Sequence, residues 1–100
     1  MAFVYLLRCA DGSLYAGAAR DLAARLAQHQ AGRGAKYTRA RLPVALAWSH
    51  AVRTFPRALT FEARIKRLPR AAKLALAQGA PLPELIDTRV RRRRRPASRA

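Results

Sequence analysis

The sequence predicts a small α/β domain in which a three-stranded, mainly antiparallel sheet is flanked by helices. Two segments near the N-terminus are rich in β-forming residues and are separated by a turn signal. Later segments carry apolar residues at helical spacing behind capping residues. The chain has 100 residues, 51% of them apolar, which is room for one packed core. We expect residues 1–80 to form this domain and residues 81–100 to form a loose exit and a disordered arginine-rich tail.

The three predicted strands are residues 3–9, 13–18 and 44–52. The first two are joined by the turn Ala-Asp-Gly at residues 10–12, and Pro43 precedes the third. This arrangement predicts an N-terminal hairpin, with the third strand added later in the chain.

The length of the hairpin loop decides where two tyrosines point. A two-residue loop would place Tyr5 and Tyr15 on opposite faces, because side chains alternate along a strand. A three-residue loop pairs Tyr5 with Gly17, puts both tyrosines on one face and ends with Gly12 in the left-handed conformation. We expect the three-residue loop, with Gly17 leaving space beside Tyr5 for a substrate.

The first helix is predicted from Asp21, a good N-cap, to about Gln30, with Gly32 just past its end. Residues 32–38 then read as a flexible basic loop. A second helix opens at residues 54–56, where proline is favoured in a first turn. Its core stripe at helical spacing is Ala58, Phe61, Ile65 and Leu68. A short last helix begins at Pro69 and ends before Gly79.

The charge balance is the strongest functional signal. The chain carries 21 lysines and arginines against five acids, a formal charge of +16. Residues 88–100 contribute seven arginines and no acid, so residues 1–87 still carry +9. An arginine-rich, alanine-rich composition also results from a GC-rich genome, but that bias does not explain the shortage of acids. A surface this positive predicts a nucleic-acid partner.

Other classes of protein are disfavoured by what the sequence lacks. Cys9 is the single cysteine, which precludes an internal disulfide and favours a cytoplasmic location. The apolar run at residues 2–7 is too short for a signal sequence, and no segment approaches the ~20 apolar residues of a membrane span. We therefore expect no membrane association.

Five residues form a candidate catalytic set. Tyr5 and Tyr15 flank the hairpin, and Arg25 and His29 lie four residues apart on one helix face. Glu62 is the only acid between residues 22 and 83, a span otherwise rich in arginine and lysine. A tyrosine, with a reference pKa of ~10, is a poor base at neutral pH unless nearby positive charge lowers that pKa.

The order and spacing of these residues resemble the GIY-YIG nuclease superfamily, in particular its small, single-domain bacterial branch of uncharacterised proteins. Residues 3–5 (Phe-Val-Tyr) stand where the first triplet of the family name lies, and residues 15–17 (Tyr-Ala-Gly) stand where the second lies. Residues 25–38 resemble the branch's helix and basic loop, and residues 58–68 resemble its glutamate helix. The chain departs from the pattern in having no asparagine and in having Ala-Ala at residues 18–19, where a threonine-containing segment is more usual.

The resemblance implies hydrolysis of nucleic-acid phosphodiester bonds with one divalent ion, Mg²⁺ or Mn²⁺. By that resemblance Glu62 would be the metal ligand and Arg25 would hold the scissile phosphate. Tyr5 or Tyr15 would position or deprotonate the attacking water, and His29 would assist proton transfer or orient a tyrosine. We expect the nucleic acid to be contacted by the basic loop and the glutamate helix, through Arg33, Lys36, Tyr37, Arg39, Arg41 and Lys66.

Alternatives remain at this point. The tyrosines could be ordinary strand aromatics, and Glu62 could simply pair with Lys66 four residues on. The protein could be a non-catalytic nucleic-acid-binding module on the same fold, which the missing asparagine favours, or a basic ribosome-associated protein. DNA and RNA are not distinguished, and the oligomeric state is open.

Overall fold

The computed structural model describes residues 1–82, and the predicted tail lies outside the described residues. The elements, in chain order, are β1 (Ala2–Arg8), β2 (Leu14–Ala19), α1 (Leu22–Gln30), α2 (Lys36–Arg39), β3 (Ala45–Val52), α3 (Phe55–Lys66) and α4 (Arg70–Ala77). The strands form one antiparallel sheet in the order β2-β1-β3. The predicted fold class is confirmed.

The β1–β2 hairpin has the predicted three-residue loop. Leu7 pairs with Tyr15, and Tyr5 pairs with Gly17. Gly12 ends the loop with a φ of +84°, which a residue with a Cβ adopts only at a steric cost. The loop length therefore sets the register of the two strands, and this register places both tyrosines on one face of the sheet.

Alternate residues of the central strand face two different cores. Val4 and Leu6 point towards α3 and α4, whereas Tyr5 and Leu7 point towards α1. The buried residues of the first core are Val4, Leu6, Ala16, Ile65, Leu68 and Leu76, and those of the second are Tyr5, Leu7, Cys9, Ala19 and Val44. Because β1 is covered on both faces, its sequence is almost continuously apolar.

The helices begin where capping residues predict. The Asp21 carboxylate accepts from the Ala24 backbone N–H at the start of α1, and the hydroxyl of Thr54 accepts from the Arg57 backbone N–H at the start of α3. Gly32 follows α1 with a φ of +77°, as expected for the residue after a C-cap.

The prediction of a flexible loop at residues 32–38 is only partly right, because its last three residues are helical. Residues 32–38 were expected to be a flexible loop, but they lead into the short helix α2, and Thr38 within it is fully buried. Tertiary contacts stabilise this turn of helix, because four residues are too few for a helix to form alone. Among residues 1–82, no helix is long and apolar enough to cross a membrane.

Candidate active site

Two tyrosines and one histidine meet on the α1 side of the sheet. The Tyr5 hydroxyl lies 2.9 Å from Nε2 of His29. The Tyr15 ring packs edge-on against the same imidazole, with 5.6 Å between centroids. Tyr5 and His29 are buried and Tyr15 is half-buried. The prediction that both tyrosines share a face is confirmed, and His29 lies against both of them.

The expectation that Gly17 leaves space for a substrate is wrong. The Tyr5 side chain lies across it, so that a Cβ at position 17 would be 2.5 Å from Cζ and 2.9 Å from Cε1 of Tyr5. The space that the missing side chain creates is therefore filled by the tyrosine ring. Gly17 determines where the Tyr5 hydroxyl can lie.

Sequence reasoning missed Thr38 and Gly34, which contact His29. The Thr38 hydroxyl lies 2.9 Å from Nδ1 of His29, and a Cβ at Gly34 would be 2.8 Å from Cγ of the same ring. Both residues lie in the segment expected to be a basic loop. The available signal was the pattern Gly-x-Gly ahead of a lone threonine, but nothing in the sequence indicated which side chain they would meet.

Burial dominates the ionisation of the two buried groups. Burial raises the pKa of the Tyr5 phenol above its ordinary value of 10.0, and the nearby Arg25 guanidinium only partly opposes this effect. Arg25 alone therefore does not produce the lowered tyrosine pKa that a base would need. Burial, and to a lesser extent the charge of Arg25, lowers the pKa of His29 below 6.5. The imidazole is thus neutral at neutral pH.

Glu62 and Lys66 lie one turn apart on α3 and form an ion pair. The Lys66 ammonium is 2.9 Å from the Glu62 carboxylate, and this hydrogen bond raises the pKa of Lys66. The pKa of Tyr5 is raised mainly by burial, and the negative charge of Glu62 adds to that rise. Only 17% of the Glu62 side chain is exposed. The ion pair suggested by the four-residue spacing is present, and its carboxylate is near enough to Tyr5 for its charge to influence the pKa of that phenol.

The Glu62 carboxylate is suited to a metal ion that prefers oxygen ligands and keeps bound waters. Within residues 1–82 no group of three or more histidine, cysteine and acidic side chains could hold an ion by itself. Mg²⁺ and Mn²⁺ accept hard oxygen ligands, and Mg²⁺ commonly keeps several waters while bound through one or two carboxylates and substrate phosphates. A single half-buried carboxylate beside Lys66 therefore fits such an ion and does not fit a zinc site, which needs three or four protein ligands.

Some of the residues predicted to contact nucleic acid are exposed, and others make contacts within the protein. Arg33, Lys36 and Arg39 are exposed on the segment around α2. Tyr37 is 38% exposed, but its ring is stacked on Tyr15 at 5.8 Å between centroids. Their role in nucleic-acid binding stays a prediction.

Arg41 makes several internal contacts. Its guanidinium lies 3.8 Å from the centroid of the Tyr37 ring, donates to the Tyr37 carbonyl at 3.0 Å and forms an ion pair with Asp11 at 3.0 Å. Arg41 thus ties the α2 segment to the tip of the β1–β2 hairpin, and it packs Tyr37 against Tyr15. This structural role does not depend on any bound polyanion.

Comparison with known protein families now gives the class of this domain, which is described as the GIY-YIG catalytic domain. The sequence profile of that domain matches residues 1–75, and the chain belongs to the GIY-YIG family.

Within that family the chain is similar to the small bacterial proteins designated UPF0213. It is 54% identical to the UPF0213 protein of Streptococcus sanguinis strain SK36 over 74 residues, which are 74% of this chain and 85% of that protein. It is 47% identical to the UPF0213 protein of Staphylococcus aureus strain Mu3 over 74 residues, 74% of this chain and 90% of that protein. The solution NMR structure of the UPF0213 protein BH0048 from Bacillus halodurans matches with a TM-score of 0.51 and 37% identity. It covers 88% of this chain and 95% of that one.

Proposed function

We propose that the protein is a metal-dependent endonuclease that hydrolyses phosphodiester bonds in nucleic acid. The observation that carries the proposal is the convergence of Glu62 with the buried Tyr5–His29 pair and with two cations, Arg25 and Lys66. A lone carboxylate, a hydroxyl with a proton acceptor, and positive charge are the groups that phosphodiester hydrolysis uses. The family supports the nuclease class, and the positive charge of the chain supports a polyanionic substrate.

Glu62 would hold the divalent ion, with Lys66 either displaced from the carboxylate or retained on its second oxygen. The ion would supply Lewis acidity to the scissile phosphate and lower the pKa of a nearby water. Lys66 is 53% exposed and flexible, so it can move from Glu62 to a phosphate oxygen at little cost. The ion pair thus orients the carboxylate before substrate binds.

Tyr5 would accept the proton of the attacking water. Burial disfavours a free phenolate, so Tyr5 needs a partner that receives its own proton as it takes the next one. His29, neutral and 2.9 Å away, fits that role. Tyr15, half-buried and packed on His29, would orient the water or the substrate.

Arg25 would contact the phosphate. Its guanidinium influences both Tyr5 and His29, and its planar fork suits two phosphate oxygens at once. One of its nitrogens already donates to the side chain of Gln28 at 2.9 Å, which restrains the fork. The positive charge would stabilise the extra negative charge of the transition state. Exposed Arg33, Lys36 and Arg39 would add sequence-independent contacts to the backbone of the nucleic acid.

The test is Glu62→Gln, which keeps the size and helix propensity of the residue and removes the charge that holds a metal ion. Asp21→Asn is the matched control, because it removes one carboxylate away from the site while asparagine still caps α1. Cleavage of labelled DNA and RNA panels with Mg²⁺ or Mn²⁺ should fall by about 100-fold or more in Glu62→Gln. Binding without metal, followed by fluorescence anisotropy, should hold or rise.

Two results would contradict the proposal. If Glu62→Gln cuts as fast as the parent, Glu62 does not belong to the site. If neither protein cuts any substrate while both bind, the domain is a binding module. Metal-dependent cleavage lost only in Glu62→Gln, and kept in Asp21→Asn, supports the nuclease.

A further inference from the structure

A buried chain of hydrogen bonds runs from α2 to the central strand. The Thr38 hydroxyl donates to the Ala35 carbonyl at 2.9 Å, Thr38 Oγ1 lies 2.9 Å from His29 Nδ1, and His29 Nε2 lies 2.9 Å from the Tyr5 hydroxyl. Thr38 and His29 are 0% exposed and Tyr5 is 1% exposed. Each of these buried polar groups therefore depends on the others for its hydrogen-bond partners.

The protons in this chain can be placed by counting donors. A carbonyl oxygen only accepts, so the single hydroxyl proton of Thr38 is committed to Ala35. Thr38 Oγ1 must then accept, and the proton it accepts comes from Nδ1 of His29. A neutral imidazole has only one N–H, which leaves Nε2 with a lone pair. The Tyr5 hydroxyl consequently donates its proton to Nε2.

The opposite tautomer would be both strained and unproductive. With the proton on Nε2, the lone pair of Nδ1 would face an oxygen of Thr38 that has no proton to give unless its bond to Ala35 breaks. The imidazole cannot move away, since the Gly34 backbone lies against its Nδ1 edge and Tyr15 lies against the ring. Nε2 would then already carry a proton and could not receive that of Tyr5.

We propose that Thr38 is a positioning residue of the active site, which holds His29 in the Nδ1–H tautomer and thereby leaves Nε2 free to accept the Tyr5 proton. Thr38 touches neither water nor substrate in this role and acts through His29. When Tyr5 takes a proton from water, its O–H bond to the original proton breaks and the N–H bond at Nε2 forms. No co-reactant is needed. The tautomer stands on the structure alone, and its effect on turnover rests on the proposed function.

The tautomer can be measured without any activity. Long-range ¹H–¹⁵N correlation spectra of the metal-free, full-length protein distinguish a protonated Nδ1 from a protonated Nε2 in neutral histidine. We expect the parent to show His29 with the proton on Nδ1. Thr38→Val keeps the branched shape and removes the hydroxyl, so the Nε2–H form should gain population. Thr38→Ser keeps the hydroxyl and should restore the parent spectrum.

Cleavage rates complete the experiment. Single-turnover cleavage should slow by about 10- to 100-fold in Thr38→Val and recover in Thr38→Ser, because one proton-transfer partner is misdirected. A parent His29 protonated on Nε2 would overturn the tautomer assignment even if Thr38→Val failed to fold. Equal rates in parent and Thr38→Val would overturn its role in turnover. If the spectra behave as expected and no variant cleaves, the proposed function fails while the tautomer assignment stands.

Discussion

Gly17→Ala is a stringent test of the site, because it adds one methyl group and no polar or ionisable group. The new Cβ would lie 2.5 Å from Cζ of Tyr5, whereas carbon atoms in ordinary contact are about 3.5–4.0 Å apart. The ring would therefore have to retreat by roughly 1 Å. Tyr5 is 1% exposed on the central strand, so no open space receives it.

The size of the effect follows from this overlap. Overpacking a close-fitting core costs about 1–3 kcal/mol. For a domain of this size, each kcal/mol lowers Tm by about 4–8 °C, so we expect a fall of roughly 4–24 °C. A shift of that size would also move the Tyr5 hydroxyl, now 2.9 Å from Nε2 of His29, beyond hydrogen-bond distance. Misplacing a reacting group by about 1 Å can cost on the order of 100-fold in rate.

Thermal unfolding, the His29 ring ¹⁵N spectrum and single-turnover cleavage at a temperature where all variants are folded measure these effects. Gly12→Ala is the matched control: it strains a residue with φ +84° and adds a methyl with no neighbour within 4 Å. That strain costs about 1–2 kcal/mol, so Tm should fall while the His29 spectrum stays that of the parent. A Gly17→Ala protein with an unchanged His29 spectrum and an unchanged cleavage rate would refute the argument that Gly17 positions Tyr5.

Two further predictions concern charge. Removing residues 88–100, which contain seven arginines, should weaken binding to duplex nucleic acid. The slope of the logarithm of the binding constant against the logarithm of salt concentration should fall in magnitude by up to roughly 6. Cleavage at saturating substrate should stay near that of the full chain, and its loss would place the tail in the site. Burial lowers the pKa of His29 in the folded state, so the unfolded chain binds more protons below about pH 6.5, and the urea midpoint should fall as pH drops from about 7 to 5. Asp11, whose pKa is lowered by its bonds to Ser13 and then by Arg41, loses its contribution only as pH falls below about 4, outside that window. A midpoint that is constant from about pH 7 to 5 would contradict a buried, neutral His29.

Short-range sequence patterns were enough to predict the hairpin and the starts of the two helices that carry most of the candidate site. The parity of a strand and a three-residue loop place Tyr5 and Tyr15 on one face before any fold is known, and the structure confirms this. Asp21 and Thr54 are strong caps, so the starts of α1 and α3 follow from short-range chemistry. Each of these inferences depends on residues close together in the sequence.

What could not be predicted depends on contacts between distant segments. The occupant of the space above Gly17 is decided by which rotamer Tyr5 adopts within the assembled core. The pKa of Tyr5 rises because of burial, and burial is a property of the packed molecule. Thr38 looked like a loop residue because four residues of helix have no signal of their own, and its partner His29 lies nine residues earlier on another helix. Local patterns contain no information on such pairings.

The tip of the β1–β2 hairpin has a consequence for engineering the protein. Hairpin tips with Asp-Gly are usually tolerant places for inserting a tag or opening a permuted chain. Here the side chain of Arg41, 30 residues along the chain, donates to the Asp11 carboxylate, and that of Arg70, 58 residues along, donates to the Gly12 carbonyl. The Ala10 amide donates in turn to the Arg41 carbonyl. An insertion at residues 10–12 would break the contacts that reach the tip from the α2 segment and from the start of α4. Its damage would therefore be felt at His29, far along the chain from the inserted peptide.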